Sequence, residues 1–235
     1  MPNDMRINRY LANAGYGSRR EVEGIVRAGR VQINGQEIRE LFVRVGTGDE
    51  VLVDGRSTRL PESQSYYLLN KPPGYVVSRR GGREEKTIYD LLPPNLQGLK
   101  YAGRLDKDSR GLLMLSSDGE FIHAVSHPSK RIWKYYRVAV DRLPPEQELR
   151  DRFVRGVTEG GELLRARALR VIDRESGIVE MTLGEGRKRQ IRRMFRALGI
   201  QVHDLFRYAI GPFDLEKRGI PEGECAAFDP DELAG

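Results

Sequence analysis

The sequence predicts an α+β protein with two domains, a small α-α-β module followed by a larger domain built on a mainly antiparallel, mixed sheet. Its 235 residues exceed the size of one small domain. A polar, proline-containing segment interrupts the chain near residue 60. Beyond that segment, short strand patterns recur without the regular β-α alternation of a parallel sheet. These observations together favour the α+β class.

Two short helices are predicted near the start of the chain. Ile7 and Leu11 belong to an apolar pattern with helical spacing, which a glycine ends. Ser18 and Glu21 have the spacing of a capping box, so a second helix is expected to begin there and to end at Gly29.

A β-hairpin is predicted after the helices, because an Asn-Gly pair at 34–35 follows an alternating apolar pattern. Residues 54–65 have few apolar side chains and contain a proline, which predicts a linker. We therefore expect one domain over residues 1–60 and a second over residues 66–235.

The second domain is predicted to mix short strands with few helices. The stretch "YYLLNKPPGYVVS" indicates a strand, a turn and another strand, and "RRGGREEKT" indicates a mobile, charged loop. Further strands are predicted at 112–116, 135–140, 166–172 and 178–183, and helices at 88–92, 120–125, 146–156 and 190–198.

Composition favours an intracellular protein and leaves two explanations for its positive charge. Lys and Arg total 40 against 34 Asp and Glu, a net charge of +6, which fits nucleic acid or merely a soluble surface. The single Cys225 excludes an internal disulfide, and the polar start "MPNDMRINRY" lacks the apolar core of a secretory signal. We expect a cytoplasmic monomer without a membrane segment.

Basic residues cluster in the N-terminal module. Arg19 and Arg20 fall in the first turn of the second predicted helix, where free backbone N–H groups also favour phosphate. A solvated helix face balanced by glutamates would give the same pattern. The stretch "RINRYLANAGYGSRREVEGIVRAGRVQINGQ" resembles an S4 domain, which implies binding to structured RNA. The RNA-binding candidates here are Arg6, Arg19, Arg20 and Arg27.

A second basic cluster lies in "GEGRKRQIRRMFRALG". On a helical wheel, Arg189, Arg193 and Arg196 lie opposite an apolar stripe, which fits either RNA contacts or a solvated face. Arg192 lies at the border of the stripe, where its stem can pack while its guanidinium points into a cleft. We therefore assign Arg189 and Arg193 to RNA binding and Arg192 to a site.

The order of four motifs resembles the RNA pseudouridine synthases, specifically the RsuA family that carries an N-terminal S4 domain. The motifs are "NKPPGYVVS", "GRLDKDSRGLLMLSSDGE", "KYYRVAV" and "GEGRKRQIRRMFRALG". The resemblance covers nearly the whole chain and implies isomerisation of uridine to pseudouridine without cofactor or metal. The implied partner is ribosomal RNA, with the large subunit favoured.

The resemblance implies three catalytic residues. Asp106 corresponds to the essential aspartate, Tyr136 to the active-site tyrosine and Arg192 to the basic residue that pairs with Asp106. Adjacent Tyr135 is an alternative, since only one of the two can face the site. Asp106 could attack C1′ of the ribose, attack C6 of the base or remove a ribose proton. Asp108 is interpreted as a surface aspartate in a turn.

Two more residues are assigned to RNA. A buried uridine must leave its stack before it reacts, and Arg104 is the candidate to fill the vacated space, although a strand residue with a solvated head remains the alternative. Lys71 is assigned to a phosphate or to the edge of the site.

Two other functions remain open on the sequence alone. The chain could be a non-catalytic RNA-binding or ribosome-assembly protein, although the Asp106, Tyr136 and Arg192 set argues against it. It could also release uracil as a glycosidase, but such enzymes typically use two carboxylates. The three histidines have no metal-ligand spacing, so no metal site is predicted.

Overall fold

A computed structural model describes residues 4–61, 63–79, 81–82, 84–127, 130 and 132–233. The chain forms two compact units, Met1–Gln64 and Ser65–Gly235. Each unit has a hydrophobic core of its own. No helix in the described ranges combines the length and apolar character needed to cross a bilayer.

The first unit consists of two helices and short strands. In chain order it contains β1 (Met5–Arg6), α1 (Ile7–Asn13), α2 (Arg19–Arg27), β2 (Val31–Ile33), β3 (Gln36–Ile38), β4 (Arg44–Val45), β5 (Val51–Val53) and β6 (Arg56–Thr58). Strands β3, β2, β5 and β6 form an antiparallel sheet in that order, and β1 pairs with β4.

Local sequence signals account for this unit. The Ser18 hydroxyl accepts the Glu21 N–H at 3.3 Å, and the Glu21 carboxylate accepts the Ser18 N–H at 2.8 Å, so the predicted capping box is confirmed. Val22 and Val26 are fully buried in the same core as α1. The predicted Asn-Gly hairpin is confirmed, with left-handed φ values at both turn residues.

The predicted linker over residues 54–65 is wrong in its first half. Asp54 and Gly55 have φ values of 49° and 75°, which make them the turn of a second hairpin. The chain then returns as β6 and buries the Thr58 side chain. The missed signal was the Asp-Gly pair, which is as strong a hairpin signal as Asn-Gly.

The second unit carries a nine-stranded sheet. Its elements in chain order are β7 (Tyr66–Lys71), 3-10 turns at Ile88–Leu91 and Pro94–Leu96, β8 (Lys100–Ala102), β9 (Arg110–Ser116), α3 (Gly119–Ser126), β10 (Lys134–Val140), α4 (Glu146–Arg155), β11 (Val157–Glu159), β12 (Glu162–Leu164), β13 (Ala168–Asp173), β14 (Ile178–Leu183), α5 (Gln190–Arg196), β15 (Val202–Ile210), β16 (Phe213–Asp214), α6 (Leu215–Arg218), β17 (Cys225–Ala227) and a 3-10 turn at Pro230–Leu233.

The strand order is β13-β14-β10-β15-β9-β7-β17, with β16 beside β15 and β8 beside β9. Strands β9 and β15 are parallel, whereas the other pairs within this path are antiparallel, which confirms the predicted mainly antiparallel mixed sheet. Sequence reasoning missed β15, the strand that joins the two halves of this sheet.

The pairing register places five residues in one row across adjacent strands. Met181 lies opposite Tyr136, Tyr136 opposite Arg207, Arg207 opposite Gly111, and Gly111 opposite Lys71. Directly opposed residues share a face of the sheet. The row therefore brings Tyr136, Arg207 and Lys71 to the same side of the sheet.

The segment after β7 differs from the prediction. The second strand of "YYLLNKPPGYVVS" is reduced to one bridge between Val76 and Thr87, and the predicted helix at 88–92 is a 3-10 turn. The prediction of a mobile loop over 79–87 falls partly on residues 80 and 83, which lie outside the described residues.

Candidate active site

A cavity of about 490 Å³ lies in the second unit. Tyr136 and Arg207, from the row of opposed residues, line it. Its size is in the range of small-molecule sites. Apolar side chains from several elements line it together with polar ones. The residues that matter for the site are Arg104, Asp106, Ser109, Lys134, Tyr136, Arg189 and Arg207.

Asp106 lies in a tight turn between β8 and β9. The Ser109 N–H donates to the Asp106 carbonyl at 3.0 Å, which closes the turn. The Asp106 side chain is about one-third exposed, and its Oδ2 lies 3.7 Å from Nη1 of Arg189. The Asp106 carboxylate therefore lies at the cavity, beside the Arg189 guanidinium.

The predicted pairing of Arg192 with Asp106 is wrong. Nη2 of Arg192 lies 3.2 Å from Oδ2 of Asp108 and donates to the Asp108 carbonyl at 3.1 Å, while Nη1 donates to the Val202 carbonyl at 2.9 Å. The helical wheel correctly predicted a largely buried arginine, which is 12% exposed. It could not tell which of the two neighbouring carboxylates the arginine meets.

Asp108 is a half-exposed turn residue, as predicted, but its carboxylate is paired. Arg189 contacts its carboxylate at 3.3 Å, and Arg192 contacts it at 3.2 Å. Burial alone would raise the pKa of Asp108, but the two guanidinium groups outweigh it and hold the pKa below its usual value. Asp108 therefore anchors the turn that carries Asp106 to the start of α5.

Arg189 reaches both carboxylates because of its backbone. It precedes α5 with φ 50° and ψ 33°, a left-handed conformation that few residues other than glycine adopt. This places its guanidinium at the edge of the cavity instead of on the helix face that the wheel predicted.

Tyr136 and Tyr135 point to opposite sides of β10. Tyr136 is 7% exposed and lines the cavity, whereas the ring of Tyr135 lies 6.1 Å from that of Tyr208. The alternation of the strand thus selects Tyr136, the residue that the motif indicated.

The predicted phosphate contact of Lys71 is wrong, because its side chain is fully buried. Its ammonium donates to the carbonyls of Ser109, Pro72 and Lys107 at 2.7, 2.9 and 3.4 Å. Burial lowers the pKa of Lys71 to about 8, although Asp108 and Asp106 act in the opposite direction. Lys71 thus contacts two carbonyls of the turn that begins at Asp106, those of Lys107 and Ser109.

Arg193 was also predicted to bind RNA, but carboxylates occupy its guanidinium. It pairs with Glu159 at 2.7 Å and with Glu162, and its side chain is 15% exposed. Arg196 pairs with Glu159 as well. This network ties α5 to the β11–β12 hairpin, which makes Arg193 a packing residue.

The remaining RNA-binding candidates are exposed. Arg104 lies at the cavity, and the exposed arginines of the first unit are Arg6, Arg19, Arg20 and Arg27. None of these four arginines forms an ion pair within the part of the chain that the structure describes, so their charges face solvent.

Sequence reasoning missed Ser109, Lys134 and Arg207 of the cavity. Arg207 is 3% exposed and Ser109 is 1% exposed. The available signal was the arginine inside the apolar stretch "DLFRYAIG", because a charge in such a stretch is costly unless it is used. In the described residues, no group of three His, Cys, Asp or Glu side chains could hold a metal ion.

The chain thus combines a helix-pair module that exposes arginines with a sheet domain whose cavity holds one carboxylate, an aromatic ring and several cations. These features define an RNA-modifying enzyme with a separate RNA-binding domain. The S4 domain family matches residues 5–51, and the RNA pseudouridylate synthase family matches residues 65–197. The chain belongs to the RNA pseudouridine synthase family and is an isomerase of RNA uridine.

Similar proteins extend over nearly the full chain. Ribosomal large subunit pseudouridine synthase B of Bacillus subtilis (strain 168) is 36% identical over 97% of this chain and 93% of its own length. The protein of the same name from Salmonella typhi is 36% identical over 95% of this chain and 79% of its own length. A crystal structure of a pseudouridylate synthase is similar with a TM-score of 0.70 and 31% identity, covering 98% of each chain.

Proposed function

We propose that this enzyme converts a uridine of large-subunit ribosomal RNA to pseudouridine, with Asp106 as its catalytic carboxylate. The observation that carries this proposal is the position of Asp106 at the cavity that Tyr136 lines. The relatives named for the large ribosomal subunit support the choice of RNA.

The residues have separate tasks in this proposal. Asp106 acts on the ribose or the base, and Tyr136 packs against the uracil. Arg189 orients Asp106, because its Nη1 lies 3.7 Å from the Asp106 carboxylate. Arg192 acts one step away, because it holds Asp108 and through it the turn.

RNA contacts complete the proposal. Exposed Arg104 at the cavity fills the stack that the extruded uridine leaves, and Arg6, Arg19, Arg20 and Arg27 bind phosphates near the target.

The size of the chain and its composition fit a monomer in the cytoplasm. Light scattering in solution should then give the mass of one 26.7 kDa chain.

The test is incubation with unmodified large-subunit and small-subunit ribosomal RNA, followed by mapping of pseudouridine through its carbodiimide adduct. We expect one modified position in the large-subunit RNA. Modification confined to the small-subunit RNA would contradict the assigned substrate.

Arg104→Ala should slow the reaction on structured RNA more than on a short single-stranded RNA, whereas equal losses would remove its role in extrusion.

A further inference from the structure

Two polar groups at the cavity are buried without a partner in the described part of the chain. They are Nη2 of Arg207 and Oγ of Ser109, and both residues line the cavity. A buried donor that lacks an acceptor costs free energy, so such groups are rare unless something else occupies the site. Arg207 matters more, because its charge makes the cost larger.

The backbone and one hydrogen bond fix the position of the Arg207 side chain. Its Nε donates to the Leu112 carbonyl at 2.8 Å, and the residue lines the cavity, so Nη2 is a guanidinium group beside the cavity without a partner among the described residues. Arg207 lies directly opposite Tyr136 in the pairing of β10 and β15. The guanidinium is therefore next to the aromatic residue that packs on the base.

The cationic side chains around the cavity favour a ligand group that accepts hydrogen bonds. Lys134 from β10 donates to the Ile132 carbonyl at 3.1 Å, and burial first and Arg207 second lower its pKa to about 8. Lys71 from β7 is a second buried cation near Arg207. The carboxylates that act on Lys71 are Asp108, Asp106 and Glu222. Arg189 already contacts both aspartates, and Arg192 contacts Asp108.

A uracil carbonyl fits this donor better than a phosphate does. Arg207 is 3% exposed, whereas a phosphate must stay on the RNA backbone, where solvent and the exposed arginines reach it. The base is the part of the nucleotide that enters an enclosed slot beside an aromatic ring. Uracil has two carbonyl oxygens, O2 and O4, and each accepts hydrogen bonds.

We propose that Arg207 is the base-recognition residue of this site and that its Nη2 donates a hydrogen bond to O2 or O4 of the target uracil. This inference rests on the proposed function. If the acceptor is O4, the same contact rejects cytidine, which carries an amino donor at that position. A buried donor of this kind discriminates strongly between uridine and cytidine, because the wrong base leaves the donor without a hydrogen bond.

The test combines atomic substitution in the RNA with substitution of the arginine. Target RNAs would carry uridine, 2-thiouridine or 4-thiouridine at the modified position, since sulfur is a weaker acceptor than oxygen. In the wild-type enzyme we expect one of the two thio-uridines to lower kcat/KM by about tenfold through loss of this bond. In Arg207→Gln that sulfur should change kcat/KM by less than about twofold.

Two variants separate recognition from structure. Arg207→Lys retains a charge and a donor for the Leu112 carbonyl but gives up Nη2, so it should fold and lose the sulfur effect even if Arg207→Gln does not fold. Arg110→Lys is the matched control, because Arg110 lies on the neighbouring strand, does not line the cavity and pairs with Asp204 at 2.8 Å. It should keep the full sulfur effect.

The comparison can also be made without turnover. In an Asp106→Asn background, the affinities for the uridine and thio-uridine RNAs are measured in place of kcat/KM. The rate of wild-type enzyme on plain uridine tests the proposed function by itself. The dependence of the sulfur effect on the side chain at position 207 tests only the inference about Arg207. An equal sulfur effect in wild-type, Arg207→Gln and Arg207→Lys proteins would overturn it.

Discussion

Asp106 and Asp108 are two residues apart, but their side chains make different contacts. Asp106 faces the cavity, whereas Asp108 is held by Arg189 and Arg192. The motif was sufficient to predict that Asp106 lies at a cavity, because the turn that carries it is local in sequence. The partner of Arg192 could not be predicted, since a helical wheel gives the direction of a side chain and not the turn that a distant segment brings to it.

Asp106→Asn should abolish formation of pseudouridine while RNA affinity stays within about twofold, because the side chain keeps its size and loses its charge. Asp108→Asn is the matched control. It should retain measurable turnover and lower the free energy of unfolding, since two guanidinium groups lose a charged partner. Turnover by Asp106→Asn near the wild-type rate would remove the catalytic assignment.

Lys71 makes the stability of the fold depend on pH. The folded protein releases this proton near pH 8, because burial lowers the pKa to about 8. The unfolded lysine keeps its proton until about pH 10.4. Between these values the unfolded chain binds more protons, so the free energy of unfolding contributed by Lys71 rises with pH.

Lys71→Met should therefore flatten the rise in the free energy of unfolding between pH 8 and about pH 9.5 relative to the wild-type protein. Urea titrations at several pH values in that window measure this difference. Lys107→Met is a suitable control, because the Lys107 side chain is half exposed and pairs with Glu85 at 3.3 Å. Equal slopes in wild-type and Lys71→Met proteins would show that Lys71 does not titrate in this window.

At the scale of elements, prediction succeeded where the signal was local. The capped α2 and the Asn-Gly hairpin depend on residues within four positions of each other. Strand β15 escaped prediction because polar residues interrupt its apolar pattern. Their partners come from β9: Arg110 pairs with Asp204, and the Leu112 carbonyl accepts from Arg207. Those partners are about 95 residues away in the chain and cannot be inferred from periodicity.

The parallel pairing between β9 and β15 requires a glycine. Gly111 has φ +112°, and an added Cβ would fall within 3.0 Å of main-chain atoms of Arg207. Gly111→Ala should thus lower the free energy of unfolding by more than about 2 kcal/mol. Gly98→Ala, where no atom beyond the two neighbouring residues lies within 4 Å of the added carbon, should change it by less than about 0.5 kcal/mol. Similar midpoints for both variants in denaturant titrations would contradict this explanation.

At the scale of the molecule, the chain divides at Gln64 and Ser65 into units that each have a core. Removal of residues 1–64 should leave a folded synthase domain with weaker RNA binding. Because the shortened protein neutralises fewer phosphates, the slope of log K against log salt should fall by roughly 0.7–0.9 for each phosphate that the first unit neutralises. Binding titrations at several salt concentrations measure it, and an unchanged slope would exclude the first unit from RNA binding.

Strand β17 has a consequence for how the enzyme is made. It pairs with β7, so the first strand of the synthase unit gains its outer neighbour only after residues 225–227 have been synthesised. The N-terminal unit has no such requirement and can fold while the rest of the chain is still on the ribosome. Cys225, the single cysteine, lies on β17 opposite Leu69, and burial raises the pKa of its thiol. A thiol reagent applied during refolding of the full chain would therefore record, as a drop in labelling, the moment at which the sheet closes.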